Sequence, residues 1–315
     1  MRLLVFSFLA LIGLGWYASR PGVQAAADEF PGAGFWSVWG DGLAEVAAYD
    51  LVMPRYGEPR RGTAVSIMVS ETFSSKLRVK ADEGKHPAAD QFPVMKLNLV
   101  KDFQTGVYDY NDMLSSFLAL KAVNGRAPGT LTKAVYSRQE WCGSTFNLAL
   151  FDQSKIRATL HSYFDGEADQ QKEIRNDLRG VPDDQLIFWA RGMAEPWTKP
   201  GDIVALPYLT STEHSKETLV WRQAQFKRSK VLRKIPVGQE VIEAEVFTVN
   251  IVDGAKKEFT IERSGARRLL RWEFSTGEKG TLIKSARMKY WDLKGKGGEA
   301  ALKQLGLIPR TPRMM

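Results

Sequence analysis

Short runs in which apolar and polar residues alternate, rich in Val, Ile, Phe, Tyr and Thr and punctuated by Gly, Pro and Asp, recur along most of the chain. A period of two is what a strand with one buried face requires, so the pattern predicts a mainly β protein of antiparallel strands. In the first half, strands are predicted at 44–53, 63–70, 93–102, 133–139, 140–151 and 155–164. In the second they are predicted at 218–232, 240–252, 257–263, 269–275 and 281–291. Asp253-Gly254-Ala255 and Gly277-Glu278-Lys279-Gly280 read as hairpin turns. Segment 112–123 fits either period, because Leu114, Phe117, Leu118 and Lys121 have helical spacing inside a continuing β run, and it is left unassigned.

Residues 167–182 are polar and end in Arg179-Gly180-Val181-Pro182, the composition of a linker. Asp183 then reads as an N-cap for a short helix over 185–191 closed by Gly192, and a second helix is predicted at 299–305, ending at Gly306. The expected architecture is two antiparallel curved sheets or half-barrels, at 26–167 and 216–315. A partly helical linker at 168–215 joins them, and the C-terminal helix is followed by a basic, proline-broken tail.

The first 25 residues break this pattern. Arg2 precedes an apolar run from Leu3 to Ala18, Pro21-Gly22 stops it, and Val23-Gln24-Ala25 offers small residues at the two positions a signal peptidase reads. The apolar run is shorter than the about 20 residues a membrane span needs. A cleaved leader and an exported chain, periplasmic or secreted, are therefore expected. No cysteine follows the run, which argues against a lipoprotein anchor.

Cys142 is the single cysteine, so no intramolecular disulfide can form and stability must come from burial and hydrogen bonding. Charge divides the chain: residues 28–215 carry 20 Lys and Arg against 25 Asp and Glu, whereas 216–315 carry 22 against 11. A basic C-terminal half suits an anionic envelope lipid or glycan, or peripheral contact with a membrane, although Lys and Arg also form the wet face of any sheet. No nucleic-acid partner is expected. Phosphate-loop, dinucleotide-binding and paired Cys-x-x-Cys signatures are absent, so no cofactor is expected. Gly295-Lys296-Gly297-Gly298 before a helix reads as a flexible entry, and three histidines, His86, His161 and His214, are few for a metal centre.

One segment carries chemistry. Glu140-Trp141-Cys142-Gly143 opens a predicted strand, and the returning strand holds His161-Ser162-Tyr163-Phe164-Asp165-Gly166-Glu167. With Gln153-Ser154 as a two-residue loop, Phe146 faces His161, Cys142 faces Asp165 and Glu140 faces Glu167. Alternation then places Glu140, Cys142, Ser144, His161, Tyr163, Asp165 and Glu167 on one face. These are the candidate catalytic residues, and Glu140, Asp165 and Glu167 could form a hard-cation site or an acid/base pair. Cys142 and His161 fall about 13 Å apart at about 3.3 Å per residue, too far for a thiolate-imidazole pair. The competing reading makes the carboxylates partners of lysines and arginines elsewhere in the sheet, with Cys142 as an inert core residue.

The phrases EWCG and HSYFDGEAD, with AEVAAYDLVMPRY (44–56), GTAVSIMVSETF (62–73) and LNLVKDFQTGVYDY (97–110), resemble an exported bacterial family of unknown function often labelled "septum formation inhibitor Maf". Where that family often has a histidine after the EWCG glycine, this chain has Ser144. The label does not imply nucleotide pyrophosphatase activity: Maf enzymes are α/β proteins with a Ser-x-Ser-Pro-Arg-Arg loop near the start, and the nearest feature here is Pro59-Arg60-Arg61 in a β-rich chain. The C-terminal half also resembles, in architecture, periplasmic lipoprotein carriers that curl a sheet around an apolar ligand. The leading expectation is a non-enzymatic envelope protein binding a lipid, glycan or protein partner. The alternative is a periplasmic hydrolase or metal-dependent enzyme using the Glu140/Cys142/Asp165/Glu167 face.

Overall fold

The computed structural model describes residues 30–31, 33–177, 180–194, 203–206, 219–229, 231–252 and 254–309. The expected leader at 1–25, most of the stretch 195–218 and the tail from 310 lie outside the described residues. Among those described, no helix is long and apolar enough to cross a membrane.

The first half forms eight strands: β1 (Ala44–Arg55), β2 (Glu58–Ser74), β3 (Gln91–Thr105), β4 (Tyr108–Ala119), β5 (Leu131–Glu140), β6 (Gly143–Phe151), β7 (Lys155–Ser162) and β8 (Gln170–Arg175). The second half adds β9 (Val181–Pro182), β10 (Ile203–Leu206), β11 (Arg222–Arg228), β12 (Arg233–Val237), β13 (Glu240–Ile251), β14 (Lys256–Glu262), β15 (Leu269–Phe274) and β16 (Lys279–Met288). Two short helices, α1 (Ala33–Trp39) and α2 (Leu186–Ala190), accompany them.

The protein is mainly β and antiparallel, as its alternation predicts. The two halves form one continuous sheet, in the order β8-β7-β6-β5-β4-β3-β2-β1-β16-β15-β14-β13-β11-β10-β9, because β1 pairs along its length with β16. Laid flat at about 4.8 Å per strand, such a sheet would be about 65 Å wide. Yet its outer strands β8 and β9 are separated by five residues, whose chain reaches only about 20 Å. The sheet must therefore curl until its two edges meet, and the Trp221 indole N–H, just before β11, donates to the Arg175 carbonyl at the end of β8 (2.9 Å).

The element after β9 fills the curl. Asp183–Gln185 form a 3-10 turn that continues into α2, and Gln185, Leu186, Phe188, Trp189 and Ala190 are buried. Pro182, not Asp183, precedes this turn as its cap. Trp189 packs edge-on against Phe226 and Phe247, and Arg191 makes a bidentate pair with Glu45 of β1 (2.7 and 2.9 Å).

Several expected boundaries shift for local reasons. Segment 112–123 belongs mostly to β4: Tyr110, Asp112 and Leu114 face inward, and strand pairing on both sides decides against the helical spacing. Within the expected linker, Gln170–Arg175 pairs with β7 as β8, a polar edge strand without an apolar stripe. The expected strand at 218–232 is β11 alone, and β12 turns back to pair with the N-terminal part of β13 while β11 pairs with its C-terminal part. Gly277 (φ 98°) forms the β15–β16 turn, but Gly280 is already inside β16. The last helix is a 3-10 run, Gly298–Leu305, closed by left-handed Gly306.

Candidate functional site

The β6–β7 register agrees with the sequence reading: Phe146 faces His161, Thr145 faces Ser162, and the amide of Asp152 donates to the Lys155 carbonyl across a tight turn. Outside that ladder the expected shared face is corrected. Glu140 ends β5, Trp141-Cys142 form the turn into β6, and β7 stops at Ser162. The Glu140–Glu167 and Cys142–Asp165 pairings therefore do not form.

Glu140 points into the sheet beside Tyr110. Its side chain is 1% exposed, 3.8 Å from the Arg55 guanidinium, and neither carboxylate oxygen has a hydrogen-bond donor. Glu167 is also buried and accepts from the Ser162 hydroxyl (2.8 Å). Cys142, Asp165, His161 and Tyr163 lie outside. His161 Nδ1 lies 2.9 Å from Asp169, and the Tyr163 ring lies over Gly143, where a β-carbon would come within 2.4 Å of it. The Cys142 thiol beside the Tyr108 hydroxyl pushes that phenol upward. Glu140, Cys142, Ser144 and Tyr163 thus line one open depression of about 480 Å³ at the β5–β6 turn, whereas His161, Asp165 and Glu167 do not join them, and among the described residues no three His, Cys, Asp or Glu side chains gather as a metal set.

The site that the fold does build is a cavity of about 580 Å³ inside the curl. Its apolar wall includes Met53, Leu99, Phe103, Leu114, Phe259 and Phe274, and α2 contributes Leu186 and Ile187. Polar residues come from strands distant in sequence. The registers align Tyr49, Ala64, Lys101, Asp112, Arg138, Thr145 and Ser162 in one row across β1 to β7. Lys101, Asp112 and Arg138 are its charged members.

Most of the cavity's charges are paired with one another. Arg138 binds Asp112 through Nε and Nη2, both at 2.7 Å, with both side chains buried. Lys257 meets both oxygens of Asp183 at 2.6 Å, tying β14 to the 3-10 turn before α2. Lys101 reaches across to Glu278 (2.5 Å), which also accepts from the Trp272 indole (2.9 Å). Arg55 donates to the Tyr110 hydroxyl at 3.3 Å, and Tyr56 and Tyr110 share a 2.9 Å hydroxyl contact. Burial, then the neighbouring carboxylate of Glu140, holds the Tyr110 phenol well above its ordinary range. Burial does the same for Tyr136, with Asp112 adding to it. Both phenols are therefore neutral hydrogen-bonding groups at physiological pH.

Outside the cavity, the basic second half pairs many of its cations with adjacent glutamates: Arg228 and Arg267 with Glu245, Arg268 with Glu262, and Arg263 with Glu243. Sequence reasoning found none of the cavity's ionic residues as a set. Asp183 stood out only as a cap, and the row Lys101–Asp112–Arg138 becomes visible only once the β3–β4 and β4–β5 registers are known.

No family model matches the chain, and no curated protein matches it. A solved structure that it resembles is the crystal structure of a β-barrel-like protein of domain of unknown function DUF1849 from Brucella abortus. The identity is 10%, the match covers 78% of this chain and 98% of that chain, and the TM-score is 0.45.

Proposed function

We propose that this chain is a non-catalytic, exported envelope protein that takes the apolar part of a lipid-like ligand into its curled sheet. The observation that carries this reading is the cavity. Its volume of about 580 Å³ falls inside the roughly 300–1,000 Å³ range of small-molecule sites, and such sites combine mostly apolar walls with a few fixed polar groups. Ten of the twenty lining residues are apolar, and Arg138, Lys257 and Lys101 are committed to ion pairs with Asp112, Asp183 and Glu278, which leaves mainly carbon to face a ligand and favours a lipid over a glycan, whose hydroxyls would need free hydrogen-bonding partners. The leader-like first 25 residues support an address outside the cytoplasm. A hydrolase would need its acid, base or nucleophile within hydrogen-bond reach of one another, and Glu140, Cys142, Asp165 and Glu167 do not converge.

Lipid extraction of protein purified from the envelope fraction, followed by mass spectrometry, tests the proposal. A stoichiometric amphiphile is the expected finding. Protein that is empty on isolation and also fails to take up added lipid would contradict it.

A further inference from the structure

β5 sends Tyr136, Arg138 and Glu140 to one inner face at every second position. The first two line the cavity, and Glu140 follows them at its end. The registers set it beside Tyr110 and, one strand further, Phe103, which also lines the cavity. Arg55 is another lining residue. Its guanidinium lies 3.8 Å from the Glu140 carboxylate and donates from Nε and Nη2 to the hydroxyls of Tyr110 and Tyr56, each at 3.3 Å.

Both Glu140 oxygens are thus enclosed without a hydrogen-bond donor, on a side chain 1% exposed. The protein's other buried carboxylates are served: Arg138 donates to Asp112, Arg191 to Glu45 and Ser162 to Glu167. Among the described residues, Glu140 is the buried carboxylate left without a donor. Such a group costs stability until something supplies the missing hydrogen bonds.

A carboxylate at the end of an apolar cavity calls for a ligand that carries donors to it. A primary ammonium brings three N–H groups and the opposite charge. Arg55 beside it calls for the reverse, an anion. A head group with phosphate and ammonium a few bonds apart answers both and adds no net charge to the buried pair, whereas an anionic head would set its charge against Glu140. A trimethylammonium has the right sign but no N–H to give. We propose that the ligand is a phospholipid whose head carries a primary ammonium, bound with that ammonium on Glu140, its phosphate toward Arg55 and its chains along Leu99, Leu114 and Phe259. Glu140 also lines the open depression at the β5–β6 turn, which places the head nearest solvent and the chains inward. This inference rests on the lipid-binding reading of the cavity and names the class of lipid.

Displacement of 1-N-phenylnaphthylamine from the purified protein tests it, with five lipids of equal chain length: dihexanoyl phosphatidylethanolamine, its N-methyl, N,N-dimethyl and N,N,N-trimethyl derivatives, and the matching phosphatidylglycerol. Affinity is expected to fall as methyls replace N–H groups, and to be at least about tenfold lower for the trimethyl and glycerol heads than for the primary amine. Glu140→Gln, checked for folding by circular dichroism, is expected to bring the five lipids within about twofold of one another, because the charge that ranks them is gone. Glu243→Gln, on the exposed outer pair with Arg263, is expected to keep the wild-type ranking. Free phosphoethanolamine, followed by calorimetry, is expected to bind more than about a hundredfold more weakly than the lipid, since it has no chains to bury. The proposal is overturned if wild type binds the five lipids equally or prefers the trimethyl or glycerol head, if Glu140→Gln keeps the wild-type ranking, or if free phosphoethanolamine binds as tightly as the lipid. Should Glu140→Gln fail to fold, the methylation series on wild type decides alone. Displacement by dodecanol with no ranking among the heads sinks the head-group assignment and leaves the cavity reading standing, whereas a wild type that takes up neither dye nor lipid overturns both.

Discussion

Asp112 and Arg138 face each other across β4 and β5 with both ends of the ion pair closed off from solvent. A buried pair contributes little net stability compared with apolar residues of the same shape, but removing one partner leaves the other charge stranded. Asp112→Asn should therefore lower stability by about 3–5 kcal/mol, whereas Asp112→Leu/Arg138→Met should lie close to wild type. Urea unfolding midpoints of the three proteins check this. If the single and double variants lose equal stability, the pair does not stand in the desolvated position described. The same logic separates the residues that the sequence made prominent from those that form the site. Cys142 and His161 drew attention as reactive types, yet they are exposed at a turn and on the outer face, whereas Lys101, Asp112, Arg138 and Lys257 look in sequence like ordinary solvated charges of alternating strands. Burial sets their importance, and burial depends on which strands become neighbours.

At the scale of elements, local pattern was a good guide wherever one face is apolar. Strands β1, β3, β6, β7 and β13 to β16 were largely legible, and the β6–β7 register followed from a single turn length. β8 was not legible because an edge strand of sequence QQKEIR has no core face to produce alternation. β4 was obscured because its apolar residues happen to fit both periods. The shared face of Glu140 and Cys142 failed at its root: a turn at Trp141-Cys142 ends the alternation from which the face was read. The β15–β16 pair, next to the seam between the halves, offers a sharp test at this scale. Gly280 of β16 faces Trp272 of β15, and a β-carbon there would fall 2.1 Å from the indole. The buried Trp272 is held in place by its hydrogen bond to Glu278, so Gly280→Val should cost roughly the 1–3 kcal/mol of an overpacked core and lower the melting temperature. An unchanged melting temperature would show that the ring is not seated on the glycine.

For the whole molecule, the closure of the sheet matters most and was least readable. The pairing of β1 with β16 joins residues more than 200 positions apart, and no turn signal announces such a contact. Closure brings Met53, Leu99, Leu114 and Phe274 around one space, and the short chain between β8 and β9 places α2 as its inner wall. Function on this account belongs to the enclosed space and to no single motif, whereas the catalytic phrases along the chain yield a set of which the fold gathers Glu140, Cys142, Ser144 and Tyr163 at one surface depression and leaves His161, Asp165 and Glu167 out of it.

The most direct measurement is a titration of the purified protein with a series of straight-chain alcohols of increasing length, read by displacement of 1-N-phenylnaphthylamine, for wild type and for Leu114→Trp. Affinity should rise about fourfold per added methylene, the equivalent of about 0.8 kcal/mol each, until the cavity is full. Leu114→Trp, which puts an indole into the space, should shorten the longest chain accepted while leaving the fold intact. Affinity that does not depend on chain length, or a Leu114→Trp variant that binds the whole series as wild type does, would contradict the claim that the cavity is the binding site.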